Sequence, residues 1–427
     1  MKNRKAFTIV ELLAVIVILA IILIIAVPQI MNAIKIAKLK SIEGSARLIA
    51  KNAEEDYYSQ KLINKRYNAT SIPCSDVAKL SDDYSSCSIT YDNSGTATVT
   101  LKGASGGKFD KIKCTGTKAN INCSEITPLP GYTDAVELLT SKIGTGGLIK
   151  DDHDELRYQG SNPDNYVTFN DEVWRIVGLF NVDGEQRVKL VRKDSIGSFS
   201  WDSSLQSGTG SVNFGFGVNQ WGPSGTYEGA DLMRELNGDY LNSSLSENPL
   251  WYNGVNSYHQ GTFDKMYALT NDSQELIGDA TWYTGGLQNN STVTLAEAYA
   301  AERGTTGKLC TSGSSCTDEV ERTYTWTGKV GMIYPSDFGY ASGNASCKAN
   351  LCAAVNCSSN WLFSSGWTIT PESTSSRADF VWITSGTNAI SATNACNTNN
   401  VRPSVYLVPD VQMKGSGTTA DPYVFAK

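Results

Sequence analysis

Residues 2–28 read KNRKAFTIVELLAVIVILAIILIIAVP: three basic residues, Lys2, Arg4 and Lys5, precede an apolar run that carries a single acid, Glu11. Phe7 to Val27 is 21 residues. As a helix rising about 1.5 Å per residue it covers roughly 31 Å, close to the hydrocarbon thickness of a bilayer. The stretch is therefore expected to span a membrane with its basic end cytoplasmic and the bulk of the chain outside. A carboxylate inside such a run costs at least about 2.5 kcal/mol, so Glu11 needs a partner. A new α-amino group four residues upstream, made by a cut between Ala6 and Phe7, would supply one.

With that cut, FTIVELLAVIVILAII resembles the start of type IV prepilins. The resemblance implies a membrane peptidase that removes the leader, residues 1–6, and N-methylates Phe7. It also implies that Glu11 pairs with a terminal amine during filament assembly. Pro28 falls where many members of that family bend the helix, which fits the backbone donor that proline removes. Ala6 stands where the family usually has glycine, and its small side chain is expected to preserve cleavage. A secretory signal peptide shares the basic and apolar order, but here the run continues as AVPQIMNAIKIAKLK without a small-residue cleavage site. A plain anchor would have no use for Glu11.

The 427 residues predict two or three domains. Net charge is −7, and residues 1–70 hold 11 Lys/Arg against 5 Asp/Glu, which leaves about −13 on the remainder. A distal part so acidic is not expected to bind nucleic acid, which requires a basic footprint. All ten cysteines lie at or after Cys74, and their even number suits disulfides in an oxidising space outside the membrane. All nine tryptophans lie at or after Trp174, which marks a change of domain type.

The expected fold class is α+β, in three parts. A transmembrane and assembly helix covers 7–63; its second half is amphipathic through Ile30, Ile34, Ala37, Leu39, Ile42, Leu48 and Ile49, with local softening at Gly44. A small antiparallel pilin sheet covers 64–126. Ser88–Tyr91 and Thr96–Leu101 flank the turn Asp92-Asn93-Ser94-Gly95, and Phe109–Cys114 pairs with Asn120–Cys123. Among the cysteines of this part three pairings are open, of which Cys74–Cys87 and Cys114–Cys123 are preferred; spacings of 13 and 9 do not make zinc knuckles. A Pro/Gly connector at 127–132 leads into a loop-rich α+β module, 133–427. Its strands are expected at Tyr166–Phe169, Val173–Phe180, Arg187–Val191, Lys329–Tyr334, Phe380–Thr384, Ser404–Val408 and Tyr423–Phe425. Helices are expected at Ala230–Tyr240 and Thr294–Arg303, the latter with Thr294 and Glu297 at capping-box spacing and Gly304 closing its end.

The ordered set NYVTFNDEVWRIVGLF, ADLMRELNGDYL, LIGDATWYTGG, GMIYPSDFGYAS, NWLFSSGWTITP and VRPSVYLVP resembles an uncharacterised bacterial surface domain. The resemblance implies a fold like that of C-type lectins and sulfatase-modifying proteins. It carries no activity, because fold does not determine function. The cysteine motif of the sulfatase-modifying proteins has no match here.

Catalytic chemistry has little material. Only His153 and His259 are present, in an acidic and a polar loop, and neither accompanies a G-x-S-x-G elbow. The segment GTGSVNFGFG lacks the Lys-Ser/Thr ending of a phosphate loop and reads as a flexible loop. Cys347, Cys352, Cys357 and Cys396 are expected to form two bridges, and Cys310–Cys316 a third. No metal centre, cofactor or enzymatic activity is expected, although Asp/Asn-rich loops leave calcium open. Trp201, Trp221, Trp251 and Tyr252 sit among Gly, Ser and Asn, where they would either contact a glycan or host-surface ligand or fill the core beneath the loops.

The function expected is that of a type IV pilin-like subunit, minor or at the tip, that displays a binding module. Its partners would be the prepilin peptidase and methylase, other pilins, the assembly machinery and the membrane. An envelope enzyme on a pilin-like anchor, or a pseudopilin of a secretion or DNA-uptake machine, are the competing readings.

Overall fold

The computed structural model describes the backbone of residues 9–65, 67, 69, 71–104, 106–203, 217–253, 259–304, 320, 322–373 and 379–427; the side chains of residues 9–12, 14, 15, 19–25 and 73 are not described. The chain is mixed α+β and divides into two compact units, Met1–Thr127 and Pro128–Lys427.

The first unit is built on one helix, α1 (Ile9–Ile63), which contains Pro28 and runs through Gly44 without interruption. Ile42 and Ala46, on either side of Gly44, are fully buried. Five antiparallel strands follow in sequential order: β1 (Ser71–Pro73), β2 (Tyr84–Tyr91), β3 (Ala97–Gly103), β4 (Ile112–Thr117) and β5 (Asn120–Glu125). Asp92 Oδ1 accepts the N–H groups of Ser94 and Thr96 and so fixes the β2–β3 turn. Gly95 there has φ +85°, and a Cβ on it would collide with the Tyr57 ring.

On β3, Ala97, Val99 and Leu101 are fully buried at alternate positions. They face Ile42, Ala46, Ile49, Ala50, Ala53 and Tyr57 of α1, a stripe at helical spacing whose three alanines let the helix backbone approach the sheet. Leu48, expected on that stripe, is 57 % exposed, because it lies one residue round the helix from Ile49. Disulfides join Cys74 to Cys87 and, across β4 and β5, Cys114 to Cys123.

The second unit holds a ten-stranded sheet. Its early elements are β6 (Thr133–Asp134), α2 (Ala135–Ser141), β7 (Leu148–Lys150), β8 (Leu156–Tyr158), β9 (Tyr166–Phe169), β10 (Glu172–Val182) and β11 (Glu185–Arg192). The order across the sheet is Val330–Gly331, Ser404–Tyr406, β11, β10, β9, Tyr423–Ala426, Gln412–Lys414 and β6, with β8 and β7 attached to β10. All pairings are antiparallel except Tyr423–Ala426 on β9. Asp183 and Gly184, both at positive φ, make the two-residue β10–β11 turn.

Among the described residues the later helices of this unit are α3 (Asp231–Asn237), α4 (Asn271–Glu275), α5 (Leu295–Arg303), α6 (Pro335–Ala341) and α7 (Ala345–Ala349). In α5 the Thr294–Glu297 capping box forms in full and Gly304 ends the helix. Gly238 stops α3 short of Tyr240, so the helix expected over Ala230–Tyr240 is the shorter Asp231–Asn237. The strand expected over Lys329–Tyr334 pairs only at Val330–Gly331, because α6 starts at Pro335.

Candidate functional site

Ala6 and Phe7 lie outside the described residues. Glu11 belongs to α1 by its backbone, and its side chain is not described; Pro28 is exposed within the same helix. Most of the expected membrane span, 7–27, likewise falls on side chains that are not described. Among the described residues no helix is long and apolar enough to cross a membrane. Along the first half of α1, Leu13, Ile16, Ile18, Ile30, Met31 and Ile34 are exposed apolar side chains. A surface of that kind is stable only against lipid or other apolar helices.

Of the two roles open to Trp201, Trp221, Trp251 and Tyr252, ligand contact or core packing, the structure places all four in the core. Trp201, Trp221 and Trp251 are no more than 1 % exposed and Tyr252 is 3 % exposed. Trp201 and Trp221 pack with centroids 5.1 Å apart, and Trp251 stacks on Phe263 at 4.5 Å. Trp201 Nε1 donates to Thr368 O at 3.1 Å and Tyr252 Oη to Ser200 O at 2.7 Å, so these polar edges are spent internally. Large rings supply the apolar area that a loop-rich unit with short helices cannot get from Leu and Ile alone.

The two histidines have separate neighbours. His153 stacks on Tyr299 at 3.7 Å. His259 Nδ1 lies 3.2 Å from Ser200 Oγ, but that hydroxyl donates to Cys396 O at 2.7 Å. Of the distal cysteines, Cys347 and Cys357 form a disulfide while Cys352 and Cys396 are free thiols. This corrects the two bridges expected among those four: Cys352 sits inside the loop that its neighbours close, and Cys396 follows the far end of strand Ala389–Asn394. Cys310 and Cys316 lie outside the described residues. Among the described residues no group of His, Cys, Asp and Glu could hold a metal ion.

The densest chemistry in the second unit is an ionic cluster that sequence reasoning missed. Lys189 on β11, in the buried run VKLVR, reaches Asp337 Oδ2 at 2.6 Å, and Arg157 of β8 reaches Asp337 Oδ1 at 2.9 Å. Arg157 also binds Asp151 at 2.5 Å and Glu155 at 2.6 Å. Burial pulls the Lys189 amine down to about 8 against the pull of Asp337. Burial would raise the Asp337 carboxyl, but Lys189 and Arg157 hold it below its ordinary value. Next to this group, Glu302 is fully buried and desolvation pushes it up to about 7. Strand β11 reads EQRVKLVR, and the burial of its Lys189 is set by the folded sheet rather than by its neighbours in sequence.

Residues 1–27 match the family of the prokaryotic N-terminal methylation motif. That match supports a pilin-like or pseudopilin-like N-terminal segment. No curated protein and no solved structure matches the chain.

Proposed function

We propose that the mature chain, cut between Ala6 and Phe7, is a minor or tip-located subunit of a type IV pilus or pseudopilus, and that its second unit is a non-enzymatic binding module. The observation that carries this reading is the methylation motif running directly into α1, whose second half lies across a five-stranded antiparallel sheet. An apolar helix that leaves the bilayer must keep its apolar surface covered, and a bundle of like helices does so. In such a bundle Glu11 neutralises a terminal amine that would otherwise be buried without a counter-ion.

The tip assignment rests on bulk. A second unit of 300 residues has a radius of gyration near 19 Å, roughly, which is large beside a pilin sheet. The lectin-like reading of that unit rests on the order of its sequence motifs, and its ligand is proposed to be a glycan or host-surface protein.

N-terminal mass spectrometry on the protein from its native cell tests the processing: a methylated Phe7 is expected, and an intact Met1 overturns it. Antibody labelling confined to fibre ends supports the tip assignment, whereas labelling along the whole fibre refutes it. Loss of adherence in cells whose chain lacks residues 128–427, with filaments still assembled, is the result expected of a binding module.

A further inference from the structure

Lys189 and Asp337 stand 148 residues apart in sequence, and both side chains are fully buried where they meet. We propose that the pair condenses to a side-chain amide, so that a covalent Lys189–Asp337 cross-link staples β11 to α6.

The surroundings are those such a reaction needs. The rings of Tyr334, Trp282, Tyr406 and Phe180 enclose the amine at 4.1, 5.1, 5.3 and 5.9 Å and keep water out. In a dry interior a charged pair carries a desolvation cost that a neutral amide does not. The carboxyl is held from three sides: Tyr334 N donates to Oδ2 at 3.0 Å, beside Lys189 Nζ, while Arg157 takes Oδ1. The amine thus lies 2.6 Å from an oxygen of the carboxyl it would attack, with little freedom left to lose.

The step balances within the pair. One ammonium proton passes from Nζ to Oδ2, which leaves a neutral amine and a neutral acid. The nitrogen lone pair then attacks Cγ, and the electrons of the C–Oδ1 double bond move onto Oδ1, where the Arg157 guanidinium faces the developing charge. As that charge collapses, the Cγ–Oδ2 bond breaks. Oδ2 departs as water with two of the three ammonium protons, and the third stays on the amide nitrogen. No oxidant or co-reactant is consumed. Neutralising Asp337 does not strand Arg157, which remains paired with Asp151 and Glu155.

Tryptic mapping of the whole purified chain by tandem mass spectrometry decides the matter on the wild-type protein, whether or not a variant folds. The cross-link yields a branched peptide joining residues 188–192 to the segment that contains Asp337, lighter than the sum of its parts by one water, about 18 Da. Trypsin cannot cut after a blocked Lys189. Release of linear Val188–Lys189, together with the Asp337 peptide at full mass, overturns the proposal and leaves an ordinary buried ion pair. Asp337→Asn is expected to give the same branched product with ammonia as the leaving group, and Asp337→Ala none.

Discussion

Glu302 and Ser336 are bonded twice in the interior of the second unit: Glu302 Oε1 accepts the Ser336 N–H at 2.9 Å, and Oε2 meets the Ser336 hydroxyl. Arg303 adds a contact to Oε2 at 3.2 Å, and Asp337 is the nearby like charge. Burial outweighs these partners and raises the carboxyl from 4.5 to about 7. An acid whose folded pKa lies above its unfolded one stabilises the fold through its protonated form. That stability is complete below 4.5 and lost as pH rises through about 7. Denaturant unfolding should therefore show this unit more stable at pH 5 than at pH 8, by up to about 3 kcal/mol. Glu302→Gln should flatten the profile across that window; an unchanged pH profile would show that Glu302 stays ionised.

Gly44 is exposed in α1, and a Cβ placed on it meets nothing within 4 Å. Its helix continues on both sides, so the residue contributes only backbone freedom that folding must remove. Gly44→Ala is expected to stabilise the first unit by about 1 kcal/mol. A rise in the thermal midpoint of the detergent-solubilised chain checks it, and a fall would mean that the glycine accommodates a bend.

What the sequence made legible was local. The β2–β3 turn, the Thr294–Glu297 capping box and the strand Phe380–Ser385 each depend on residues a few positions apart. The start of α6 is marked in the sequence by Pro335 at its first position and Asp337 at its third, but the apolar run Lys329–Tyr334 before it has the pattern of a strand and masks that signal. The Lys189–Asp337 contact had no local signature, since only the folded sheet brings the two residues together. The burial of Trp201, Trp221 and Trp251 was undecided for the same reason: a ring flanked by Gly and Ser has the same sequence context inside a core as on a surface.

Cys352 and Cys396 are half-buried free thiols, and burial raises both above the ordinary cysteine value. Few of their molecules are thiolates at neutral pH, and only the thiolate alkylates readily. Iodoacetamide should label both slowly in the native chain and fast in denaturant without reductant. Cys347 and Cys357 should be labelled only after reduction. A non-reduced peptide map that links Cys352 or Cys396 to another cysteine would contradict this pairing.

Trp251 distinguishes a core role from a contact role. It is fully buried between Phe199 and Phe263, at centroid distances of 4.6 and 4.5 Å. Truncation removes both ring contacts and opens a cavity that short helices and loops cannot readily collapse into. Trp251→Ala is expected to destabilise the second unit by about 3–5 kcal/mol in urea unfolding. Any ligand binding should then fall only in proportion to the unfolded fraction, and should return where stabilising conditions restore the fold. A variant with wild-type stability and abolished binding would place Trp251 at a ligand surface and overturn its assignment to the core.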